Sequence, residues 1–128
     1  MILSKTDRAY LNVARYFATK SRSKNTHGAV VVKSGRVVGT GWNKTRNNPN
    51  IVSPEHIKSD CSYHAEQVAI REAGEYNVRG AIIYVARVNK NGHDRNSKPC
   101  PRCSDLIDRA GIKRVIFTIE AGEYHASK

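Results

Sequence analysis

The strongest constraint on the fold of this chain is the order in which two hydrophobic periods alternate along it. Near the start, Tyr10, Val13, Ala14 and Phe17 follow the i, i+3, i+4, i+7 spacing of a helix with one buried face. Ser4 or Thr6 can cap that helix, and Asp7 is favourable in its first turn, where the helix dipole is positive. "HGAVVVKSGRVVGTGW" then gives two β-branched runs around Ser34 and Gly35, which predicts a hairpin. From His64 the pattern is helical again: Ala65, Val68, Ala69 and Ala73 share a face, and Gly74 stands where a helix would stop. "AIIYVARV" reads as a buried strand. Pro101 suits the first turn of a third helix with Leu106, Ile107 and Ala110 turned inward; Gly111 ends it, and "KRVIFTI" is the last strand. The order α-β-β-α-β-α-β predicts a largely parallel sheet with helices on both faces and one antiparallel hairpin.

Two polar stretches interrupt this frame. "NKTRNNPNIVSPEHIKSD" carries turn residues and two prolines and reads as a long loop, of a length that is usually functional or disordered. "NKNGHDRNSK" is a second, shorter loop. No repeats or linkers divide the chain, and 128 residues suit one domain over residues 1–128. "MILSKTDRAY" holds no apolar run long enough for a signal peptide, and no stretch could span a bilayer, so the chain is expected to be cytoplasmic with no membrane partner.

Charge and cysteine usage narrow the function. Lys and Arg number 22 against 11 Asp and Glu, a net +11. A field of that sign attracts phosphates and favours nucleotides or nucleic acid as partners; the plainer account is a solvated, Lys-rich surface. Three cysteines make a disulfide framework a poor expectation and favour metal or catalytic use.

His64 falls at the start of one helix, and Cys100 and Cys103 bracket the start of another. In open α/β sheets such ends gather at one edge, where sites form. Helix N-termini stabilise anions, which favours thiolates. Two thiolates and one imidazole suit Zn2+ and leave a fourth tetrahedral position for water, whose pKa zinc lowers to about 7. Glu66 lies within a helical turn of His64 and is placed to move protons there. The spacing leaves a rival open: Cys61-x-x-His64 with Cys100-x-x-Cys103 would make a closed, structural four-ligand site.

"HAE" at His64–Glu66 and "PCPRC" at Pro99–Cys103 match the H-x-E…P-C-x-x-C pattern of the zinc deaminases. With "HGAVVVKSGRVVGTGWN" and "AGIKRVIF", most of the chain resembles the cytidine and deoxycytidylate deaminase family, and most of all its short phage-type deoxycytidylate deaminases. The resemblance implies a three-layer α/β/α cytidine-deaminase-like fold, with a mixed central sheet, an N-terminal β-hairpin and helices on both faces. It implies a zinc-dependent aminohydrolase that converts a cytosine nucleotide, dCMP first, to the uracil nucleotide with release of ammonia. His64, Cys100 and Cys103 would bind the zinc and Glu66 would shuttle protons. Asn43 and Ala65 would touch the substrate. Arg46 and Arg102 are the candidates for its phosphate, because a guanidinium grips a phosphate bidentately. Family members often assemble, so a homo-oligomer is expected.

Two other readings stay open at this level: a deaminase of cytosine or adenine in single-stranded DNA or RNA, and a non-catalytic zinc-stabilised binding module. His27, His56, His93 and His125 lack a partner at metal spacing and are read as surface or turn residues. Trp42 and Tyr63 flank motif residues and could stack on a base, although aromatics beside strands are more often core. The chain departs from the family in its long "NKNGHDRNSK" loop, in Trp42 where Tyr is more usual, and in Lys44 where Gly often follows the Asn. "EAGEYHASK" is too short for the further strand and helix of many relatives.

Overall fold

The structure is a computed structural model. It describes residues 3–21, 26–45, 62–120 and 124–127, with the backbone alone at 44–45, 62–63 and 124–127. Most of the long loop, with Arg46 and Cys61, lies outside the described residues.

Helix α1 runs Lys5–Ala18 and is capped by Ser4, whose hydroxyl accepts the Asp7 N–H at 3.0 Å. Its buried residues are Asp7, Leu11, Ala14 and Ala18, while Tyr10, Val13 and Phe17 pack along the flank. The expected stripe is therefore rotated. The helix meets the sheet through its small residues, because it lies on Gly28, where an added Cβ would collide with the Ala14 carbonyl and the Ala18 nitrogen. Strands β1 (Thr26–Lys33) and β2 (Arg36–Trp42) form the hairpin. Lys33 pairs with Arg36 across a two-residue loop in which Ser34 and Gly35 have φ of 53° and 75°, the paired left-handed conformation of a type I′ turn.

Next come a two-stranded ribbon, β3 (Lys44–Thr45) with β4 (Ser62–Tyr63), helix α2 (Ala65–Ala73), and a single extra turn α3 (Glu75–Val78). Strand β5 (Ile82–Val88), a short β6 (Asp94–Arg95), helix α4 (Pro101–Ala110), β7 (Arg114–Thr118) and β8 (Tyr124–Ser127) complete the described chain.

The main sheet has the order β2-β1-β5-β7-β8, with β6 paired to the end of β5. The expectation of a largely parallel sheet is corrected: β5–β7 is the one parallel pair among the described strands. The alternation rule still operates. Each crossover through a helix returns the chain in its previous direction, so β2 and β5 point the same way. Strand β1, reversed by its tight turn, is interposed between them and pairs antiparallel with both. The tail is corrected too. Within "EAGEYHASK", Tyr124–Ser127 forms an edge strand on β7, in register from Thr118↔Tyr124 to Val115↔Ser127.

Side-chain alternation divides the core into two. Val30, Val32, Tyr84, Ala86 and Ile116 face α1, together with Leu3, Leu11 and Ala14. Ala29, Val31, Ile83, Val85, Val115 and Phe117 face the other way, against Ala65, Ala69 and Ala73 of α2 and Ile107 of α4. The result is the three-layer α/β/α arrangement. Helix α2 sits almost on the backbone of β2: a Cβ on Gly41 would stand 2.7 Å from the Ala65 carbonyl oxygen, and one on Gly39 would collide with that of Ala69. No described helix is long and apolar enough to cross a membrane.

Asp7, expected to serve only the helix dipole, is 8% exposed and accepts a 2.6 Å bond from the Tyr84 hydroxyl, with Arg114 Nη1 3.7 Å away. Burial opposes its ionisation. The Tyr84 and Ser4 hydrogen bonds and the Arg114 charge outweigh that and hold its carboxyl below the usual value. A depressed folded-state pKa adds stability that is present above the unfolded value, about 3.9 for Asp, and is lost as pH falls through the folded one. Asp7→Asn should therefore cost about 1.5–3 kcal/mol at pH 7, the scale of a hydrogen bond to a charged group. The gap to the native chain should close in urea melts below about pH 4; a gap that persists unchanged at pH 2.5 would show that the charge is irrelevant.

Candidate metal centre

Two helices begin at one place. His64 is the N-cap of α2 and Cys100 the N-cap of α4, both with extended backbone, and Cys103 lies in the first turn of α4. The positive ends of both helix dipoles therefore converge, as the sequence predicted. His64 Nδ1 lies 3.1 Å from Cys103 Sγ and 3.6 Å from Cys100 Sγ, and the three donor atoms fall within 4.8 Å of one another. Tetrahedral zinc, with Zn–S of 2.3 Å and Zn–N of 2.0–2.1 Å, needs donors about 3.6 Å apart. One nitrogen and two sulfurs at this spacing fit it. Among the described residues these three are the group able to hold a metal; Cys61, the fourth ligand of the rival arrangement, is outside them.

Burial, followed by the nearby Glu66 charge, pushes the Cys103 thiol up from its ordinary value. Convergent dipoles alone thus do not make it a thiolate. A coordinated cation would, since its charge would invert the local balance and favour the thiolate. Glu66 is 4% exposed. Desolvation pushes its carboxyl up, and its own backbone N–H, His64 and a hydrogen bond with Cys103 offset only part of this. A carboxyl in touch with a metal ligand and shielded from water is suited to holding and handing over a proton.

Asn43 is 8% exposed. Its Oδ1 accepts the His27 N–H at 2.8 Å, its N–H donates to the His27 carbonyl, and its own carbonyl accepts the Ser21 hydroxyl at 2.9 Å. The β3–β4 register pairs Lys44 with Tyr63, so the next step along the ribbon sets Asn43 opposite His64. The predicted partner thus stands at the site's edge, its side-chain oxygen already committed to holding β1. Ala65 is fully buried over Gly41, at the first position of α2. Arg102 is exposed on the first turn of α4, beside Cys103. Trp42 stacks on Phe17, with centroids 6.1 Å apart and planes at 5°, which makes it a packing aromatic.

The polar loop before Cys100 is tied down at several points. Arg15 grips Asp94 bidentately, Nε to Oδ1 and Nη2 to Oδ2, both at 2.8 Å. Ser97, 1% exposed, donates its N–H to the Thr118 carbonyl, and its hydroxyl lies 2.9 Å from the Val85 carbonyl and 2.9 Å from the Thr118 hydroxyl. Sequence reasoning missed this pair because Ser and Thr in a polar stretch look solvated. It also missed Gln67, whose Oε1 accepts the His64 N–H at 3.0 Å. The signal was the N-cap-x-x-Gln spacing of a capping box, hidden by a histidine where Ser or Thr is usual.

A three-layer α/β/α domain with a His-Cys-Cys cluster and a buried glutamate at two helix N-termini defines a zinc-binding protein of the deaminase type. The chain belongs to the family described as "Cytidine and deoxycytidylate deaminase zinc-binding region", which matches residues 4–119. It is 34% identical over 120 residues to the riboflavin biosynthesis protein RibD of Aquifex aeolicus, covering 90% of this chain but 28% of that one. It is 30% identical to the deoxycytidylate deaminase of Mycobacterium phage D29, covering 90% of this chain and 95% of the relative. Among solved structures it is similar to the dCMP deaminase of cyanophage S-TIM5 in apo form, with 26% identity, a TM-score of 0.69, and coverage of 94% and 88% of the two chains.

Proposed function

We propose that this chain is a zinc-dependent hydrolytic deaminase that converts dCMP to dUMP and ammonia. The observation that carries the reading is Glu66, a carboxylate buried against three soft donors at the meeting point of two helix N-termini. His64, Cys100 and Cys103 would hold Zn2+, which when bound would supply a water of pKa about 7. Glu66 takes the proton lost by the water whose oxygen bonds to C4 of the cytosine ring, and gives it to the amino group as the C4–N bond breaks and ammonia leaves. Its burial keeps that proton from exchanging with solvent. The Asn43 amide nitrogen donates to the sugar or base, and the Ala65 N–H lies at the dipole end that favours developing negative charge. Arg102 and Arg46 take the phosphate, toward which the net charge of +11 steers the substrate. The likeness to phage deoxycytidylate deaminases over nearly the whole length of both chains supports a mononucleotide as substrate. The enzyme works in the cytoplasm, where thiols stay reduced, as a homo-oligomer.

The test is ammonia release from zinc-loaded protein offered dCMP, deoxycytidine, CMP, and single-stranded oligonucleotides containing cytosine or adenine. Turnover of dCMP well above that of deoxycytidine is expected, because the phosphate supplies binding energy. Turnover of oligonucleotides alone would replace the reading with a polynucleotide deaminase, and loss of affinity with salt would then be steep.

A further inference from the structure

Gln67 has no part in the chemistry proposed above, yet it is joined directly to a metal ligand. It stands at the third position of α2, half-buried, and lines the cleft between α2 and α4 together with Leu106 and Ala110. From there its Oε1 turns back to accept the backbone N–H of His64 at 3.0 Å, closing a capping box over the start of the helix. The imidazole meets the thiols through Nδ1, the ring nitrogen nearer the main chain. Only two torsions separate that atom from the backbone, so a small rotation of the His64 peptide displaces the ligand atom directly. In the other half of the box the His64 side chain accepts the Gln67 backbone N–H, so Gln67 holds both the main chain and the side chain of His64.

We propose that Gln67 is a positioning residue of the metal centre: by fixing the His64 backbone it holds Nδ1 at coordinating distance from Cys100 and Cys103. The inference rests on zinc binding by those three residues. Outer-shell partners of metal ligands typically account for 10- to 100-fold in metal affinity. Here the partner acts through the ligand's main chain rather than its second ring nitrogen.

Zinc affinity of the full chain is measured by chelator competition in three forms: native, Gln67→Met, which keeps the length but has no oxygen acceptor, and Gln67→Glu, which restores one. The absorption of the cobalt-substituted protein reports the donor geometry. The expected result is a loss of about 10-fold for Gln67→Met, with an altered cobalt spectrum, and recovery in Gln67→Glu. Unchanged affinity in Gln67→Met, or equal loss in both variants, overturns the proposal. A native chain that binds no zinc at all overturns the site itself, a separate failure. Should Gln67→Met not fold, amide hydrogen exchange in the native zinc-loaded protein decides: a protected His64 N–H supports the bond, and exchange at the open-chain rate rejects it.

Discussion

Glu66→Ala should lower kcat on dCMP by about 10²- to 10⁴-fold, the range that a positioned general acid–base supplies, while the protein still binds zinc as the native chain does. The two halves of this expectation come from separate features. Zinc retention follows because the three donors that fit the ion do not include the glutamate. The rate loss follows because Glu66 is 4% exposed, so solvent has poor access with which to replace its proton transfer. Glu66→Gln sharpens the test, since it keeps the shape and removes the ionisable group. Desolvation already disfavours the Glu66 charge, so the amide should leave thermal stability unchanged or slightly raised. Variants that keep full zinc and turn over dCMP within threefold of the native rate would remove Glu66 from the mechanism.

Cys103→Ser should abolish the stabilisation that zinc confers. A ligand that binds only the folded state adds RT ln(1 + [L]/Kd), about 4 kcal/mol at a thousandfold excess over Kd, which for a domain of this size is roughly 10–20 °C in Tm. Cys103 is 1% exposed and carries the shortest donor contact to His64, 3.1 Å. A serine hydroxyl is shorter, harder and reluctant to ionise, so it replaces neither the reach nor the softness of the sulfur. In melts with and without zinc, the native chain should show the rise and Cys103→Ser should not. An equal zinc-dependent rise in both proteins would mean that the ion sits elsewhere.

The residues of the candidate site were legible in the sequence because their spacing is tied to local structure. His64 and Glu66 fall within one helix start, Cys100 and Cys103 within another, and Pro101 and Gly111 delimit the second helix as expected. The tight turn at Ser34 and Gly35 and the Ser4 cap were legible for the same reason. What escaped depends on partners remote in the chain. Asp7 looks like a surface acid until Tyr84, 77 residues away, is laid against it. Ser97 and Thr118 look solvated until β5 and β7 pair. The direction of β1 relative to β5 could not be read from alternation, which constrains only strands joined through a helix. β8 is four residues long and takes its order from the β7 edge rather than from its own pattern.

The convergence of two N-caps also bears on how the chain acquires its metal. His64 and Cys100 are 36 residues apart, and each sits at the start of a short helix that depends on packing for its stability. Nothing local brings the two ends together. They meet only once β5 has found β1 on one side and β7 on the other, the non-local pairings that form slowly because loop-closure entropy comes first. Zinc uptake at full affinity is therefore a late event, coupled to closure of the sheet. Before the sheet closes the chain offers only Cys100 and Cys103 as a local pair, and the three-donor site is complete when His64 joins them.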